Sequence, residues 1–330
     1  MYQPQVYGIA LSLMILSMLC WGSWANTLKL CPGYRFQLFY WDYVIGLIVG
    51  AVAWGLTFGS LGSTGRTFHA DVMQAGAHYI LLAVTGGVIF NIANLLLVAA
   101  IDIAGLAVAF PIGIGLALVI GAVSSFLISP KGNPLLLFGG IALVAAAIVF
   151  DAIAYRLREV NRPAMSRRGI VISLIAGILM GCFYPFVSRA MTGADAPGPY
   201  AAVLFFVIGV ALSSIPVNYL LMKMPLDGRA PASMNDYRGA SGSWHLWGVL
   251  GGAIWCTGAL ANFVASQAHI VGPAVSYSIG QGATMISACW GVFVWREFTG
   301  APSRSKAFLA GMFVLFLSGL TAIAVAPLFP

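Results

Sequence analysis

The sequence predicts an all-α polytopic membrane protein with ten transmembrane helices, arranged as two inverted five-helix repeats. Three observations lead to this prediction. The composition is 60% hydrophobic and only 8% charged, apolar stretches long enough to cross a bilayer recur along the chain, and blocks of the first half return in the same order in the second half. Because soluble domains carry about 25% charged residues, a water-soluble fold is excluded.

The ten helices follow from apolar runs that are bounded by Pro, Gly or charged residues. A bilayer-spanning helix needs about 20 mostly apolar residues. The first five runs predict helices at 6–28, 38–59, 78–100, 103–128 and 134–156. The second five predict helices at 169–190, 199–222, 246–267, 272–296 and 305–327. We interpret the first run as a retained helix, since it is long enough to span and no basic region precedes it.

The repeat is clearest where Gly105–Gly115 (GLAVAFPIGIG) matches Gly272–Gly282 (GPAVSYSIGQG) at six of eleven positions. Two shorter blocks keep the same order: Gly86-Gly87 with Gly251-Gly252, and Tyr43–Gly46 with Phe206–Gly209. Five is an odd number, so the second copy would enter the membrane from the opposite side. The predicted halves are residues 1–160 and 161–330, within a single membrane domain.

The net charge of +7 comes from basic residues that lie mainly in short connections. This pattern predicts membrane lipids as partners and argues against nucleic acid. The odd-numbered connections contain Lys29, Arg35, Arg156, Arg158, Arg162, Arg167, Arg168, Lys223, Arg229, Arg238, Arg296, Arg304 and Lys306, against Arg66, Lys131 and Arg189 on the other side. Because positive residues are retained in the cytoplasm, both termini are predicted outside a plasma membrane, most simply a bacterial inner membrane.

Three short motifs resemble a known transporter family. They are Trp21–Lys29 (WGSWANTLK), Phe39–Tyr43 (FYWDY) and Trp290–Glu297 (WGVFVWRE). They resemble the drug/metabolite transporter superfamily, in the branch that holds glucose/ribose porters, rhamnose–proton symporters and ureide permeases. The resemblance implies a secondary transporter of five plus five helices. Members commonly have Gly before the glutamate of the last motif, where this chain has Arg296.

Candidate solute-binding residues are the polar and aromatic side chains in the middle of the predicted helices, where polar groups are costly unless they face the bundle interior. Asn91 and Asn94 are three residues apart and so share a helix face, and their amides can both donate to and accept from a solute. Interhelical hydrogen bonding that merely holds the bundle together is the alternative role.

Other candidates lie in the helices of the second half and in the first motif. Trp255 and Asn262 belong to the predicted eighth helix, and Gln281 lies between two glycines that let a ligand or another backbone approach. The rings of Trp24 and Tyr184 could stack on a sugar or ureide. Packing of small residues and anchoring of aromatic rings at the membrane interface are the competing interpretations.

Gating or proton coupling would require charged side chains whose state differs between conformations. Lys29 closes the first motif, although a long side chain at a helix end also reaches toward water. Asp42, Asp151 and Glu297 are the carboxylate candidates, and Asp42 is preferred because Asp151 lies near Arg156 and Arg158 and could pair with them.

The sequence lacks the spacings of common enzymes and metal sites, such as His-x-x-x-His, Cys-x-x-Cys or a Walker loop. No cofactor is predicted, and the chain is not expected to be an enzyme. The prediction is an importer of a small neutral polar metabolite, a sugar or ureide, with proton coupling. An exporter of amphiphilic compounds is the first alternative, followed by a membrane enzyme or scaffold. The Gly-x-x-x-Gly pairs 46–50 and 177–181 leave a homodimer open.

Overall fold

The computed structural model describes residues 1–62, 65–158, 166–226 and 228–329, and helices make up nearly all of it. The α-helices are α1 Tyr7–Ser23, α2 Asn26–Lys29, α3 Phe36–Leu56, α4 Phe68–Gln74, α5 Ala77–Ala104, α6 Leu106–Ile128, α7 Pro134–Arg158, α8 Arg167–Ala190, α9 Pro199–Lys223, α10 Met234–Arg238, α11 Gly242–Ser266, α12 Pro273–Gly280, α13 Ala283–Cys289 and α14 Ser303–Val325. A π-helical turn, Trp290–Val294, continues α13, and a 3₁₀ turn, Ala326–Leu328, follows α14.

Nine stretches of the described chain are long and apolar enough to cross a membrane. They correspond to every predicted helix except the one at 272–296, with ends that differ by a few residues. Apolar side chains also cover the outside of the bundle, as in Leu127 and Leu135. Outward-facing leucines are typical of helices that are surrounded by lipid. Arg162 and the boundary at 160/161 lie outside the described residues.

The predicted continuous helix at 272–296 is wrong, because the segment breaks at Gln281 and Gly282. Their ψ angles, −12° and −6°, are those of a tightened 3₁₀ turn. The backbone N–H of Gln281 donates to the carbonyls of both Tyr277 and Ser278, and the backbone N–H of Gly282 donates to Ile279 O. We call residues Pro273–Val294, comprising α12, α13 and the π turn, the broken segment.

The connections gather on two faces of the bundle. The terminal face holds both ends of the chain, since the Tyr2 N–H donates to Phe58 O and the Asn133 N–H donates to Ala326 O. The opposite face, here the basic face, holds the connections after α2, α9 and the broken segment. There the Arg35 guanidinium donates to Ala230 O. The broken segment runs from Gly272, beside Lys131 on the terminal face, to the basic face.

Four glycines bring helices of the two predicted halves into backbone contact. Gly46 on α3 lies against Val249 O on α11, and Gly252 on α11 lies against Tyr43 O on α3. The same arrangement joins α5 and α9, where Gly87 lies against Phe206 O and Gly209 lies against Val84 O. These are corresponding positions of the two sequence blocks, and an added Cβ would collide with a carbonyl at each. The two helix crossings therefore use one and the same packing device.

The Gly-x-x-x-Gly pairs of the sequence are used inside the chain. Gly46 and Gly50 lie against α11, at Val249 and Cys256, while Gly177 and Gly181 lie against α6. An alanine Cβ at Gly177 would come within 2.7 Å of Gly113 O. These surfaces are covered by the chain's own helices, so they do not support the homodimer alternative.

Candidate functional site

The first amide network joins α3, α5 and α9 in the interior of the bundle. The Tyr40 hydroxyl donates to Asn91 Oδ1 at 2.7 Å, and Ser214 Oγ donates to the same oxygen at 3.1 Å. Asn91 Nδ2 donates to Ser213 Oγ at 2.9 Å, and Asn94 Nδ2 donates to Tyr40 Oη at 3.4 Å. Asn91 and Asn94 are both buried. The predicted pair thus shares a face and one tyrosine hydroxyl.

The second amide network joins α1, α8, α11 and α12. The Tyr184 hydroxyl donates to Asn262 Oδ1 at 2.6 Å, while Asn262 Nδ2 donates to Ser17 Oγ at 3.2 Å and to Ser276 O at 2.9 Å. Ser276 Oγ donates to the Asn262 carbonyl at 2.8 Å. Asn262 is fully buried. One amide therefore connects four helices, including the first half of the broken segment.

An aromatic layer lies between the two networks. The Trp255 indole stacks on Trp21 and Phe206 at centroid distances of 5.8 and 5.9 Å, and it contacts Phe90 at 4.4 Å. The Trp24 ring lies 4.8 Å from that of Tyr43. Tryptophan and tyrosine rings offer flat apolar surfaces beside polar edges, a combination that suits sugar rings and planar ureides. Trp21 Nε1 is buried and has no hydrogen-bond partner among the described residues.

Gln281 occupies the break of the broken segment, next to the second network. Its neighbour Gly280 lies under the Trp21 ring and the Asn262 amide, and its other neighbour Gly282 lies under Met18. The Gln281 side chain is half-buried. A half-buried carboxamide at a helix break can donate to and accept from a solute, so Gln281 remains a candidate for solute contact.

The Asp42 carboxylate lies at the basic-face end of α3 and receives three donors. Tyr237 Oη is 2.6 Å from Oδ1, Tyr34 Oη is 3.0 Å from Oδ2, and His245 Nδ1 lies 3.0 and 2.9 Å from the two oxygens. Asp42 is 2% exposed, whereas the His245 side chain is 27% exposed. Gly248 leaves room for the carboxylate, because an added Cβ there would overlap Asp42.

Glu297 forms a second charged cluster on the basic face. Its carboxylate pairs with Lys29 at 2.5 Å and with Arg158 at 3.1 Å, and it accepts from the Tyr155 hydroxyl at 3.1 Å. Burial alone would raise the pKa of Glu297, but Lys29 and Arg158 outweigh it and hold that pKa below its usual range. The cluster joins the end of the broken segment to α2 and α7.

Arg158 therefore pairs with Glu297 and not with Asp151. Asp151 is buried within α7, and its Oδ1 has no hydrogen-bond partner among the described residues. Arg296 adopts φ of +52°, the left-handed region that favours glycine. This backbone conformation explains why glycine suits the position before the glutamate.

The terminal face is closed by its own ion pair. Arg66 Nη2 lies 3.0 Å from Asp71 Oδ1 and donates to Ala196 O at 2.7 Å. The Gly198 N–H donates to Asp71 Oδ2 at 2.8 Å. These contacts tie the connection after α3 to the connection after α8. Both ends of the bundle interior are thus crossed by charged or hydrogen-bonded side chains.

Comparison with known proteins identifies the family. The family described as Sugar transport protein matches residues 12–326. The chain belongs to this family. Its curated relatives include Ureide permeases 1, 4 and 2 of Arabidopsis thaliana, which are 21%, 23% and 22% identical to it. Each alignment covers 98% of this chain and 98% of the relative. The resemblance to sugar porters and ureide permeases is confirmed.

A solved crystal structure of another protein has the same fold. It aligns with a TM-score of 0.64 at 17% identity, over 95% of both chains. The fold and the family together describe a multi-pass integral membrane protein that transports small polar solutes. The expectation that the chain is not an enzyme is confirmed by its relatives, which are transporters.

Sequence reasoning selected several residues that the fold brings together and missed their partners. Tyr40 lies inside the FYWDY motif, but nothing in the sequence distinguishes it from the neighbouring rings. The sequence carries no signal for His245, because its proximity to Asp42 depends on how α11 packs against α3. Ser17 and Ser276 gave no signal, since small hydroxyls are frequent throughout these helices.

Proposed function

We propose that this protein is a secondary active importer of a small neutral polar solute, a sugar or a ureide. The observation that carries the proposal is the separation of chemistry within the bundle. Amides, hydroxyls and aromatic rings occupy the interior, while the ion pairs of the described residues lie at the two faces. Neutral donors and acceptors match hydroxyl and ureide groups, and an isolated charge would be costly there.

The proposed solute site lies between the two amide networks. Its candidate residues are Asn91, Asn94, Trp24, Tyr184, Trp255, Asn262 and Gln281. Asn91 and Asn262 already have internal partners, so a solute hydroxyl would replace an existing hydrogen bond rather than satisfy an empty one. Such an exchange costs little net free energy. It would also couple binding to movement of the helices that the amide connects.

Transport would proceed by alternating access of two inverted five-helix halves, with the broken segment as one of ten crossings. The paired glycine contacts, α3 with α11 and α5 with α9, support this proposal because they repeat one packing device in both halves. The Glu297 and Arg66–Asp71 clusters are suitable gates on the two faces, since each joins connections from different halves. A plasma membrane location with both termini outside follows from the basic face being cytoplasmic.

The proton gradient is the proposed driving force, with Asp42 as the coupling carboxylate. Asp42 is buried at the basic-face end of α3, and its partners come from three other parts of the chain. A proton that binds at or beside this carboxylate would therefore affect several elements at once. Glu297, in contrast, is held by two cations and is better suited to a gate.

Thermal stabilisation of the purified protein tests the proposed substrate class. A ligand that binds the folded state raises its apparent stability. We expect stabilisation by a sugar or ureide in a panel that also contains nucleobases and amphiphilic cations. The shift should disappear in Asn91→Ala.

Asn218→Ala is the matched control, because Asn218 is also a buried asparagine. Among the described residues, its side chain forms one hydrogen bond, from Nδ2 to the Gln37 carbonyl. It should lose stability without losing the response to ligand. A response to amphiphilic cations alone would contradict the importer and favour the exporter.

A further inference from the structure

The Asp42 carboxylate is surrounded by titratable groups from every element packed against it. Cys31 and Tyr34 come from the turn after α2, Tyr237 comes from α10, and His245 comes from the start of α11. No lysine or arginine of the described residues forms an ion pair with Asp42. The charge of the site is therefore determined by Asp42 and His245.

The hydrogen bonds define where each proton resides. Burial and the nearby Asp42 charge raise the pKa of both Tyr34 and Tyr237, so their hydroxyls stay protonated and donate. Three donors converge on one carboxylate, which is the arrangement that suits its ionised form, an acceptor only. His245 Nδ1 must then carry a hydrogen toward Asp42. The other ring nitrogen, Nε2, has no hydrogen-bond partner among the described residues, and it is the atom that can gain or lose a proton.

We infer that the Asp42–His245 pair is the proton-binding site of this transporter, with Nε2 of His245 as the atom that exchanges protons with water at the basic face. This inference rests on the proposed proton-coupled transport. One proton from solvent joins Nε2, converts the imidazole to imidazolium and changes the pair from a net charge of −1 to 0. Deprotonation returns the same proton. The partial exposure of His245 gives water access, while Asp42 stays buried.

The charge change at the pair affects α10, because Tyr237 of this helix is bonded to Asp42. Tyr237 belongs to α10, whose start is held by a capping box in which Ser233 and Asp236 bond each other. The same segment is held at Ala230 by Arg35. His245 Nδ1 and the Tyr237 hydroxyl share Asp42 Oδ1, at 3.0 and 2.6 Å. A charged imidazolium binds that oxygen more strongly than a neutral imidazole does, so protonation of His245 weakens the bond to Tyr237. Proton binding thereby loosens α10 over the basic-face end of the bundle.

Nuclear magnetic resonance of ¹⁵N-histidine-labelled protein tests the proton site without any solute. Histidine is the side chain whose charge changes between pH 5 and 8. We expect the His245 signals, assigned with His245→Gln, to show Nε2 gaining a proton while Nδ1 remains protonated. Asp42→Asn should shift that titration. Absence of any His245 titration between pH 5 and 9 would overturn the inference, whatever the solute.

Proteoliposomes then separate coupling from transport, with labelled D-ribose and allantoin as the probes. Exchange of labelled for unlabelled solute needs no gradient, whereas accumulation does. With one proton per solute, a pH difference of one unit supports up to about tenfold accumulation. His245→Gln keeps a donor toward Asp42 but cannot titrate. We expect it to retain exchange and to lose accumulation.

Three outcomes are distinguishable. Normal accumulation in His245→Gln, or loss of exchange and accumulation together, would overturn the proton site. Absence of exchange in the wild type would contradict the proposed function instead. The nuclear magnetic resonance titration of His245 would still test whether the Asp42–His245 pair binds a proton. His269→Gln is the control, because His269 lies on the terminal face, away from Asp42, and should leave both activities unchanged.

Discussion

Helix α6 and the broken segment, which we call the fourth and ninth segments after the order of the predicted helices, have related sequences but different shapes. Both begin after a glycine with a left-handed backbone, Gly105 at φ +80° and Gly272 at φ +77°. In the first half, α6 continues through Gly113 and Gly115, whereas the matching Gly280 and Gly282 flank a break. One glycine pattern is therefore compatible with both a continuous helix and a broken one.

Their neighbours explain the difference. Nothing lies within 4 Å of a Cβ added to Gly115, whereas a Cβ added to its counterpart Gly282 would collide with Met18. Gly113 and Gly280 are both crowded, the first by Leu97 and the second by Trp21 and Asn262. The broken segment packs closely against α1 and the second amide network. The position between the glycines is Ile114 in α6 and Gln281 in the broken segment. Of the two related sequences, the one that packs against α1 contains the helix break and the polar side chain.

Gln281→Ile would make the ninth segment resemble the fourth at its break. We expect solute exchange in proteoliposomes to fall by about 100-fold, equivalent to about 2.8 kcal/mol. The thermal stability should be unchanged or higher, because a half-buried polar side chain is replaced by an apolar one. Full exchange in this variant would show that the break is structural and plays no part in solute binding.

Gly280→Ala compares the packing of the two segments. An added Cβ would meet Trp21 Cζ3 at 2.7 Å and Asn262 Nδ2 at 2.9 Å. Overpacking of this kind costs about 2 kcal/mol, which a lower melting temperature in detergent would report. Gly115→Ala is the control in the fourth segment, and it should stabilise the protein by up to about 1 kcal/mol because the site is open and helical. Equal effects would contradict the comparison.

Tyr184→Phe and Tyr40→Phe compare the two amide networks. Asn91 Oδ1 keeps the Ser214 donor when Tyr40 loses its hydroxyl, whereas Tyr184 is the only donor that the described residues supply to Asn262 Oδ1. An acceptor left buried without a partner costs about 1–3 kcal/mol. We therefore expect the larger loss of thermal stability in Tyr184→Phe. The reverse order would mean that water or a rotated side chain satisfies Asn262.

Glu297→Gln removes a charged group that lies just after the broken segment and has no counterpart after α6. The connection after α6, Ser129–Asn133, has no carboxylate. Because Glu297 and Lys29 are both partly exposed, the loss should be small, about 0.5–1 kcal/mol, and it should shrink in high salt. The pKa of Glu297 lies below its usual range, so its stabilisation is present above that range and is lost as pH falls through the lowered value. Asp195→Asn is the control, because Asp195 is exposed on the connection after α8. Equal salt and pH responses in both variants would exclude a specific role for Glu297.

Sequence periodicity predicted the long helices well because lipid requires each crossing to be about 20 apolar residues. It failed at Gln281, where the outcome depends on Trp21 and Met18 from another helix. The candidate site was predictable only in part. Asn91, Asn94 and Asn262 stand out as polar residues in apolar runs, but Tyr40, Ser17 and Ser276 do not. The Asp42–His245 pair joins residues some 200 positions apart, and no local pattern reports such a contact.

Exchange of labelled D-ribose or allantoin across proteoliposomes that contain the wild-type protein is the most direct measurement. If neutral polar solutes cross the membrane through the bundle interior, at least one of D-ribose and allantoin should exchange. Unlabelled sugars and ureides should compete with that exchange, and amphiphilic cations should not. Exchange of amphiphilic cations alone, with neither neutral solute moving, would contradict an interior made for neutral polar solutes.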